Sequence, residues 1–373
     1  METVIYLTDE CNMKCKYCYF ENKQTNMLSE EILYKILNQI FEMNEEDFID
    51  IAFLGGEPLI NKDIFIKAIR WLKDKNDSRI NISITTNGTI YDDELLETFK
   101  ENKIELSISV DGDEETHNLN RVSKNGTNLY RKTIKTIKSL LEEKIDFKIR
   151  MTIALNTIER LFDNVLYFYN MGIDKFEIAF NEFEIWDIES LKILDEQVNK
   201  LGDWYIDKVD TNIYVNIFDC KIGEFVVERQ AMFCSAGTSQ HIVFNAKGDI
   251  YPCNYVVNEE YWKIGDVFSE FDESVFWSKV RENIEKKKSC EKCKLENYCI
   301  GAKCGFKNYK ITGKLNVCDK NICNLENHLY VIERRVIKEL YKKRKSRLMR
   351  YINYAKENNY VIQDLLANED EEY

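Results

Sequence analysis

Three cysteines stand close together near the start of the chain, directly after a short apolar segment. Cys11, Cys15 and Cys18 have the spacing C-x3-C-x2-C. A [4Fe–4S] cluster normally takes four protein thiolates, one for each iron, and the neighbouring sequence offers three. The spacing therefore predicts a cluster with one iron left open for a substrate. A structural zinc site is the alternative, although such sites are almost always four-coordinate.

This motif resembles the signature of the radical S-adenosylmethionine (SAM) enzymes, including an aromatic residue, Tyr17, before the last cysteine. The resemblance implies that the open iron binds the amino and carboxylate groups of SAM and that Tyr17 belongs to the cofactor-binding residues. In this family the reduced cluster cleaves SAM to methionine and a 5′-deoxyadenosyl radical, which abstracts a hydrogen atom from the substrate. A reductant such as flavodoxin or ferredoxin is implied as a partner.

The elements that must position this loop alternate between β-branched runs and helical patterns, which is typical of a parallel sheet built from βα units. Six strands are predicted: Val4–Leu7, Ile49–Leu54, Ile80–Thr85, Ile104–Val110, Phe147–Ala154 and Lys175–Ala179. Six units fall short of the eight of a closed barrel, so we predict an α/β fold with an open, partial (β/α)6 TIM-like barrel. Active sites of parallel barrels lie at the carboxyl ends of the strands, where the cysteine loop also falls.

Further motifs follow the other predicted strands. The second strand runs into Gly55-Gly56-Glu57-Pro58, where glycines allow a backbone to approach a ligand closely. This segment resembles the family's GGEP element, and the third and fourth strand ends resemble its other SAM-contacting elements. The resemblance assigns SAM binding to Gly55, Gly56, Glu57, Thr86, Asn87, Ser109, Asp111 and Arg121. Plain turns and, for Arg121, a solvated surface charge are the alternatives.

Nine further cysteines follow in the second half, with a predicted hairpin at 240–255 that carries Cys253 on its second strand. The layout resembles the SPASM extension of radical SAM enzymes that act on peptides and proteins, which implies two auxiliary [4Fe–4S] clusters. By resemblance the first takes Cys220, Cys234, Cys253 and Cys304, and the second takes Cys290, Cys293, Cys299 and Cys323. Cys318 is then the spare thiol, or exchanges roles with Cys323. Two structural zinc sites are the alternative.

We therefore predict four segments. They are a radical SAM partial barrel at 1–182, a helical bridge at 183–219, a SPASM domain at 220–323 and a helical tail at 324–373. The helix of the tail is predicted to open at Asn324, after Cys323.

Composition narrows the class of protein. A net charge of −13 over 373 residues argues against nucleic-acid and anionic-membrane partners. There is neither a signal peptide nor an apolar run long enough to span a bilayer, so we predict a cytoplasmic protein. Twelve cysteines in that compartment indicate metal binding rather than disulfides.

The layout is also similar to that of the anaerobic sulfatase-maturating enzymes, which oxidise Cys or Ser to formylglycine. Those enzymes use an aspartate directly after the hairpin cysteine as a base, whereas this chain has Asn254, and an amide cannot accept that proton. We therefore predict an enzyme that forms a thioether or other crosslink in a ribosomally made peptide. Because the motif begins at Cys11, leader recognition is predicted to involve a separate protein or the barrel itself. A formylglycine-generating enzyme and a zinc-stabilised, non-catalytic binding protein are the alternatives.

Overall fold

The computed structural model describes residues 1–21, 23–43, 48–226, 235–269, 271–285, 290, 293, 295, 299 and 304–360. Cys234 therefore lies outside the described residues. The strands are β1 (Glu2–Tyr6), β2 (Ile49–Leu54), β3 (Ile80–Thr86), β4 (Ile104–Ser109), β5 (Phe147–Ile153), β6 (Lys175–Phe180), β7 (Tyr214–Val215), β8 (His241–Phe244), β9 (Asp249–Tyr251) and β10 (Gly265–Asp266). All six predicted barrel strands are confirmed, with ends that agree to within two residues.

Twelve helices accompany these strands in the described part of the chain. They are α1 (Glu30–Met43), α2 (Lys62–Lys75), α3 (Asp93–Glu101), α4 (Glu114–Asn120), α5 (Tyr130–Glu142), α6 (Leu161–Asn170), α7 (Ile188–Lys208), α8 (Asn216–Val226), α9 (Glu273–Glu282), α10 (Gly305–Thr312), α11 (Lys320–Lys342) and α12 (Ser346–Glu357). Aspartates begin several of them: the Asp92, Asp113 and Asp187 carboxylates accept hydrogen bonds from backbone N–H groups in the first turns of α3, α4 and α7.

Strands β1 to β6 stand side by side in chain order, and every neighbouring pair is parallel. Beyond β6 the sheet continues into β7, and beyond β1 it continues into β8, β9 and β10. Because β1 pairs with β8 on its second side, the sheet stays open between β1 and β6. The predicted partial barrel is confirmed. The hairpin of the second half differs from expectation, since it joins the barrel sheet in parallel to β1.

The two faces of the sheet differ in polarity. Phe53 of β2 packs against Phe65 of α2 with ring centroids 5.4 Å apart, so this apolar face is covered by helices. The opposite, inner face carries small or polar residues, with Ala52 beside Ser83 and Arg150 beside Glu177. Closed TIM barrels fill this space with branched apolar side chains. Here the inner face is half-buried and leaves room inside the barrel.

The later helices pack against the same core. Helix α11 lies against α7 and α8 and buries Leu325, Val336 and Ile337. The described part of the predicted helical tail forms two helices, α11 and α12, which meet at Arg344 with a positive φ of 50°. The prediction that a helix opens at Asn324 was wrong, because Asp319 caps α11 and places Cys323 inside its first turn. Residues 361–373 lie outside the described part. No described helix is long and apolar enough to cross a bilayer.

Candidate metal-cluster and cofactor site

The cysteine loop leaves the carboxyl end of β1 and is fixed on the segment that follows α4. The backbone N–H groups of Lys14 and Lys16 donate to the carbonyls of Val122 (2.6 Å) and Asn120 (2.9 Å). Within the loop, the backbone N–H of Met13 donates to the Cys11 sulfur at 3.4 Å. The loop is therefore held by backbone hydrogen bonds on both sides of Cys15, independently of any bound group.

The three thiols share one electrostatic environment. Burial raises the pKa of Cys11 to about 11 and also raises the pKa of Cys15. Burial alone would lower the pKa of Lys23, but nearby Cys18, Cys11 and Cys15 outweigh it and leave that pKa raised. A metal ligand must be a thiolate, so the buried Cys11 and Cys15 thiols need a positive partner to favour their ionised form; Lys23 beside them is one such cation.

Gly55 and Gly56 allow two backbone segments to approach each other closely. A Cβ atom on Gly55 would lie 2.4 Å from the carbonyl oxygen of Thr8, and one on Gly56 would lie 2.2 Å from the carbonyl oxygen of Glu10. The backbones also bond directly, since Gly56 N donates to Thr8 O at 2.9 Å. The close approach that requires glycine is thus to the backbone that leads into Cys11. Contact of either glycine with SAM stays a prediction.

Glu57 joins the ends of β2 and β3 beside this loop. Its carboxylate is 1% exposed and accepts hydrogen bonds from Thr86 Oγ1 (2.6 Å), Asn87 N (2.7 Å) and Leu59 N (3.1 Å). Burial raises the pKa of Glu57 to about 7. The Asn87 side chain then donates to Asn12 Oδ1 at 2.8 Å. Glu57, Thr86 and Asn87 therefore form one network that ends on the cysteine loop.

A second network surrounds Asp111 at the end of β4. Asp111 Oδ1 accepts hydrogen bonds from Arg121 Nε (3.0 Å) and from the backbone N–H of Thr152 (2.9 Å). Its other oxygen accepts from the Tyr17 hydroxyl. Arg121 is 9% exposed, which excludes the solvated surface charge that was its alternative. Ser109 lies two residues before Asp111 and is 8% exposed. The structure thus brings Tyr17, Ser109, Asp111 and Arg121 to one place beside the cysteine loop.

Among the residues that the structure describes, no three His, Cys, Asp or Glu side chains are close enough to hold a single metal ion. A zinc ion with Zn–S bonds of about 2.3 Å would bring its sulfurs to about 3.8 Å from one another. A cube-shaped cluster binds each thiolate to a different iron and spreads the sulfurs further. The all-thiol donor set of Cys11, Cys15 and Cys18 is of the kind that iron–sulfur clusters take.

The first part of the second cysteine field lies against the first motif. Cys253 follows the end of β9 by two residues, so the prediction that places it on that strand was wrong. Tyr255, two residues further, contacts the ring of Tyr19 with centroids 5.3 Å apart. Cys304 caps α10. Cys220 lies on α8, exposed, with its sulfur 3.3 Å from the Tyr214 hydroxyl.

The remaining thiols gather at the start of α11. The sulfurs of Cys318 and Cys323 are 3.3 Å apart. The Cys299 sulfur is 3.8 Å from Glu326 Oε2, which lies one turn after Cys323 on the same helix. Cys290 is placed just before Cys293, whose backbone N–H donates to the Cys290 carbonyl at 3.0 Å.

Sequence reasoning missed a buried ion pair at the top of the barrel. Lys307 of α10 is 4% exposed, and its Nζ lies 2.5 Å from Glu182 Oε2. Glu182 follows the end of β6, just as the other site residues follow the ends of their strands, so its position in the sequence could have identified it as a site residue. Lys307 could not be identified from the sequence, because only the fold shows that its side chain is buried. The pair links the barrel to the second cysteine field.

Comparisons with known proteins agree with this geometry. Residues 5–168 match the family model of the radical SAM superfamily. The cysteine-type anaerobic sulfatase-maturating enzyme of Clostridium novyi is 30% identical over 301 residues, which cover 74% of this chain and 79% of that enzyme. The chain belongs to the radical SAM superfamily. A [4Fe–4S] cluster and SAM are accordingly the cofactors of this radical SAM protein.

Other relatives of this radical SAM protein differ in their reactions. The radical SAM cyclopropyl synthase TigE of Paramaledivibacter caminithermalis is 23% identical over 350 residues, which cover 86% of this chain and 71% of TigE. The structure of anSMEcpe with AdoMet and the Cp18Cys peptide has a TM-score of 0.70 at 22% identity and covers 94% of this chain and 99% of that one. Streptococcus suis SuiB with its precursor peptide SuiA has a TM-score of 0.61 at 18% identity, covering 86% and 75%. Both structures share the fold.

Proposed function

We propose that this radical SAM enzyme modifies a peptide, abstracting a hydrogen atom from one residue to form a thioether or other crosslink in a ribosomally made substrate. The observation that carries the proposal is the second cysteine field, which is built onto β1 and meets the cysteine loop through Tyr19 and Tyr255. The resemblance of this field to SPASM domains and the peptide-bound relatives SuiB and anSMEcpe support a peptide substrate.

In this proposal Cys11, Cys15 and Cys18 hold the cluster, and the two networks hold SAM. When bound, these cofactors supply one-electron cleavage and hydrogen-atom abstraction. The residues proposed to contact SAM are Tyr17, Gly55, Gly56, Glu57, Thr86, Asn87, Ser109, Asp111 and Arg121. Because Asp111 is fixed by Arg121, Tyr17 and Thr152, its carboxylate is oriented before any ligand arrives, which lowers the ordering cost of binding.

The inner face of the barrel offers the space that a peptide needs. Arg150 and Glu177 form an ion pair of 2.7 Å there, and both remain partly exposed to solvent. A polar, half-exposed wall suits the backbone and side chains of a peptide better than it suits an apolar metabolite.

Two auxiliary [4Fe–4S] clusters belong to the proposal, with the ligand sets given above. A net two-electron oxidation of the substrate must pass an electron onward, and a cluster beside Cys253 could accept it. An external reductant such as flavodoxin or ferredoxin and a separate leader-recognition protein complete the proposed partners. The four segments 1–182, 183–219, 220–323 and 324–373 remain the proposed domain division.

A formylglycine-generating activity is the second candidate, because the Clostridium novyi relative is named a cysteine-type anaerobic sulfatase-maturating enzyme. Asn254 weighs against it. The Asn254 Oδ1 atom is buried and has no hydrogen-bond partner among the described residues, and an amide cannot take a proton as a carboxylate can.

The test starts from protein purified and reconstituted without oxygen. We expect brown protein with about 12 irons per chain, four for each cluster, and 5′-deoxyadenosine formation from SAM and a reductant. Replacing Cys11, Cys15 and Cys18 by Ala should abolish that cleavage. Colourless protein that holds zinc would instead support the non-catalytic alternative.

Short peptides encoded beside the gene are then offered as substrates and weighed by mass spectrometry. A crosslink removes hydrogen atoms only, whereas conversion of Cys to formylglycine also exchanges sulfur for oxygen. The second product would overturn the crosslink proposal and leave the radical SAM assignment intact.

A further inference from the structure

We propose that Cys318 and Cys323 are interchangeable ligands of the same auxiliary cluster, so that either thiol alone completes a set with Cys290, Cys293 and Cys299. This inference rests on the auxiliary clusters of the proposed function. Two clusters with four thiol ligands each use eight of the nine cysteines in the second half, and the inference concerns the one that remains.

The distance between the two sulfurs carries the argument. Cys318 Sγ and Cys323 Sγ are 3.3 Å apart. In a [4Fe–4S] cube each thiolate points outward from its own iron, so two sulfurs this close cannot serve two corners of the cube. They can, however, serve the same corner in turn, because a small side-chain rotation exchanges one for the other.

The surroundings place both thiols at the second cluster's ligand set. Cys323 lies in the first turn of α11, and Glu326, one turn later, is 3.8 Å from the Cys299 sulfur. Cys299 is therefore on the same face of α11 as Cys323. The Cys318 sulfur lies 3.3 Å from the Cys323 sulfur and so shares this location. Both candidates consequently face the same ligands.

The backbone holds the pair in position before a cluster is present. Asp319, which lies directly after Cys318, caps α11 by accepting a hydrogen bond from Asn321 N at 2.8 Å. The Cys323 backbone N–H donates to the Asp319 carbonyl at 3.1 Å. One short, capped turn thus carries both thiols.

The experiment measures iron, sulfide and electron paramagnetic resonance of the reconstituted full-length protein. We expect about 12 irons in the wild type and in both single variants, Cys318→Ala and Cys323→Ala, and about eight in the double variant. The matched control is Cys293→Ala, which removes a ligand that has no substitute and should on its own lower the iron content or change the spectrum of that cluster. Cys323→Ser should keep the wild-type spectrum, because Cys318 takes over.

Several other results would contradict a specific part of the proposal. Loss of four irons in only one single variant would identify a fixed ligand and overturn the exchange. Twelve irons in the double variant together with the wild-type spectrum would show that neither thiol is a ligand, whereas twelve irons with a changed spectrum would indicate a cluster held by the three remaining thiols and would support the exchange. A wild type with only about four irons would overturn the auxiliary clusters themselves, and with them the proposed function's second half. Alkylation of the native holoprotein offers an independent readout: exchange predicts label on both Cys318 and Cys323, whereas a fixed ligand predicts label on one.

Discussion

The buried pair of Asp111 and Arg121 allows a quantitative test of how the cofactor site is built. Replacing Arg121 by Met keeps much of the side-chain volume and removes the charge. Asp111, whose side chain is fully buried, would then lose both guanidinium contacts and keep only Tyr17 and the Thr152 N–H. Breaking a buried ion pair by removing one partner costs about 3–5 kcal/mol. We expect the free energy of unfolding of the apoprotein to fall by that amount.

The assay is urea unfolding under anaerobic, reducing conditions, followed by fluorescence and circular dichroism. Arg70→Met serves as the matched control, because Arg70 pairs with Glu94 at 3.3 Å while both side chains are more than half exposed. Such surface pairs contribute about 0–1 kcal/mol. If Arg121→Met changed stability no more than Arg70→Met does, Asp111 would not depend on Arg121 and the preorganised carboxylate would be refuted.

Three further predictions concern the same region. Gly56→Ala should lose about four irons, because its Cβ would collide with Glu10 and displace the cysteine loop, whereas Gly223→Ala, with open space around it, should lose none. The pKa of Glu57 is about 7 in the folded protein against 4.5 in the unfolded chain, so the free energy of unfolding should fall by up to about 3 kcal/mol as the pH rises between these values. Glu57→Gln should flatten that part of the pH–stability profile, and an unchanged slope would contradict the raised pKa. Asn254→Asp should permit conversion of a substrate Cys to formylglycine that the wild type does not produce, measured by peptide mass, and equal yields from both proteins would remove Asn254 as the discriminating residue.

The sequence predicted those features that depend on neighbouring residues. Alternating apolar runs predicted all six barrel strands, and parallel pairing brought the residues after those strands to one edge, as expected for Glu57 and Asp111. Features that depend on contacts between distant segments of the chain could not be predicted from the sequence. Nothing local indicated that the hairpin would pair with β1, that Gly56 would meet Glu10, or that Lys307 would be buried against Glu182.

The sequence did contain a local indication of where α11 begins, although the prediction placed the start elsewhere. Asp319 is a favourable N-cap residue, yet the resemblance to SPASM domains favoured a helix that opens after Cys323. The structure begins α11 at Lys320, which places Cys323 on a helix turn beside Cys318. That shift of one turn is what brings the two sulfurs together.

The parallel pairing of β8 with β1 has a consequence for how the chain can be divided. Strand β1 is an interior strand because β2 and β8 cover its two sides. A barrel produced without the residues after 219 would expose the β8 side of β1 as a row of unpaired N–H and C=O groups. Edges of that kind recruit other chains and promote aggregation. The second cysteine field therefore covers this edge of the barrel, and the two parts share one sheet and one hydrophobic core although they carry separate sets of cysteines.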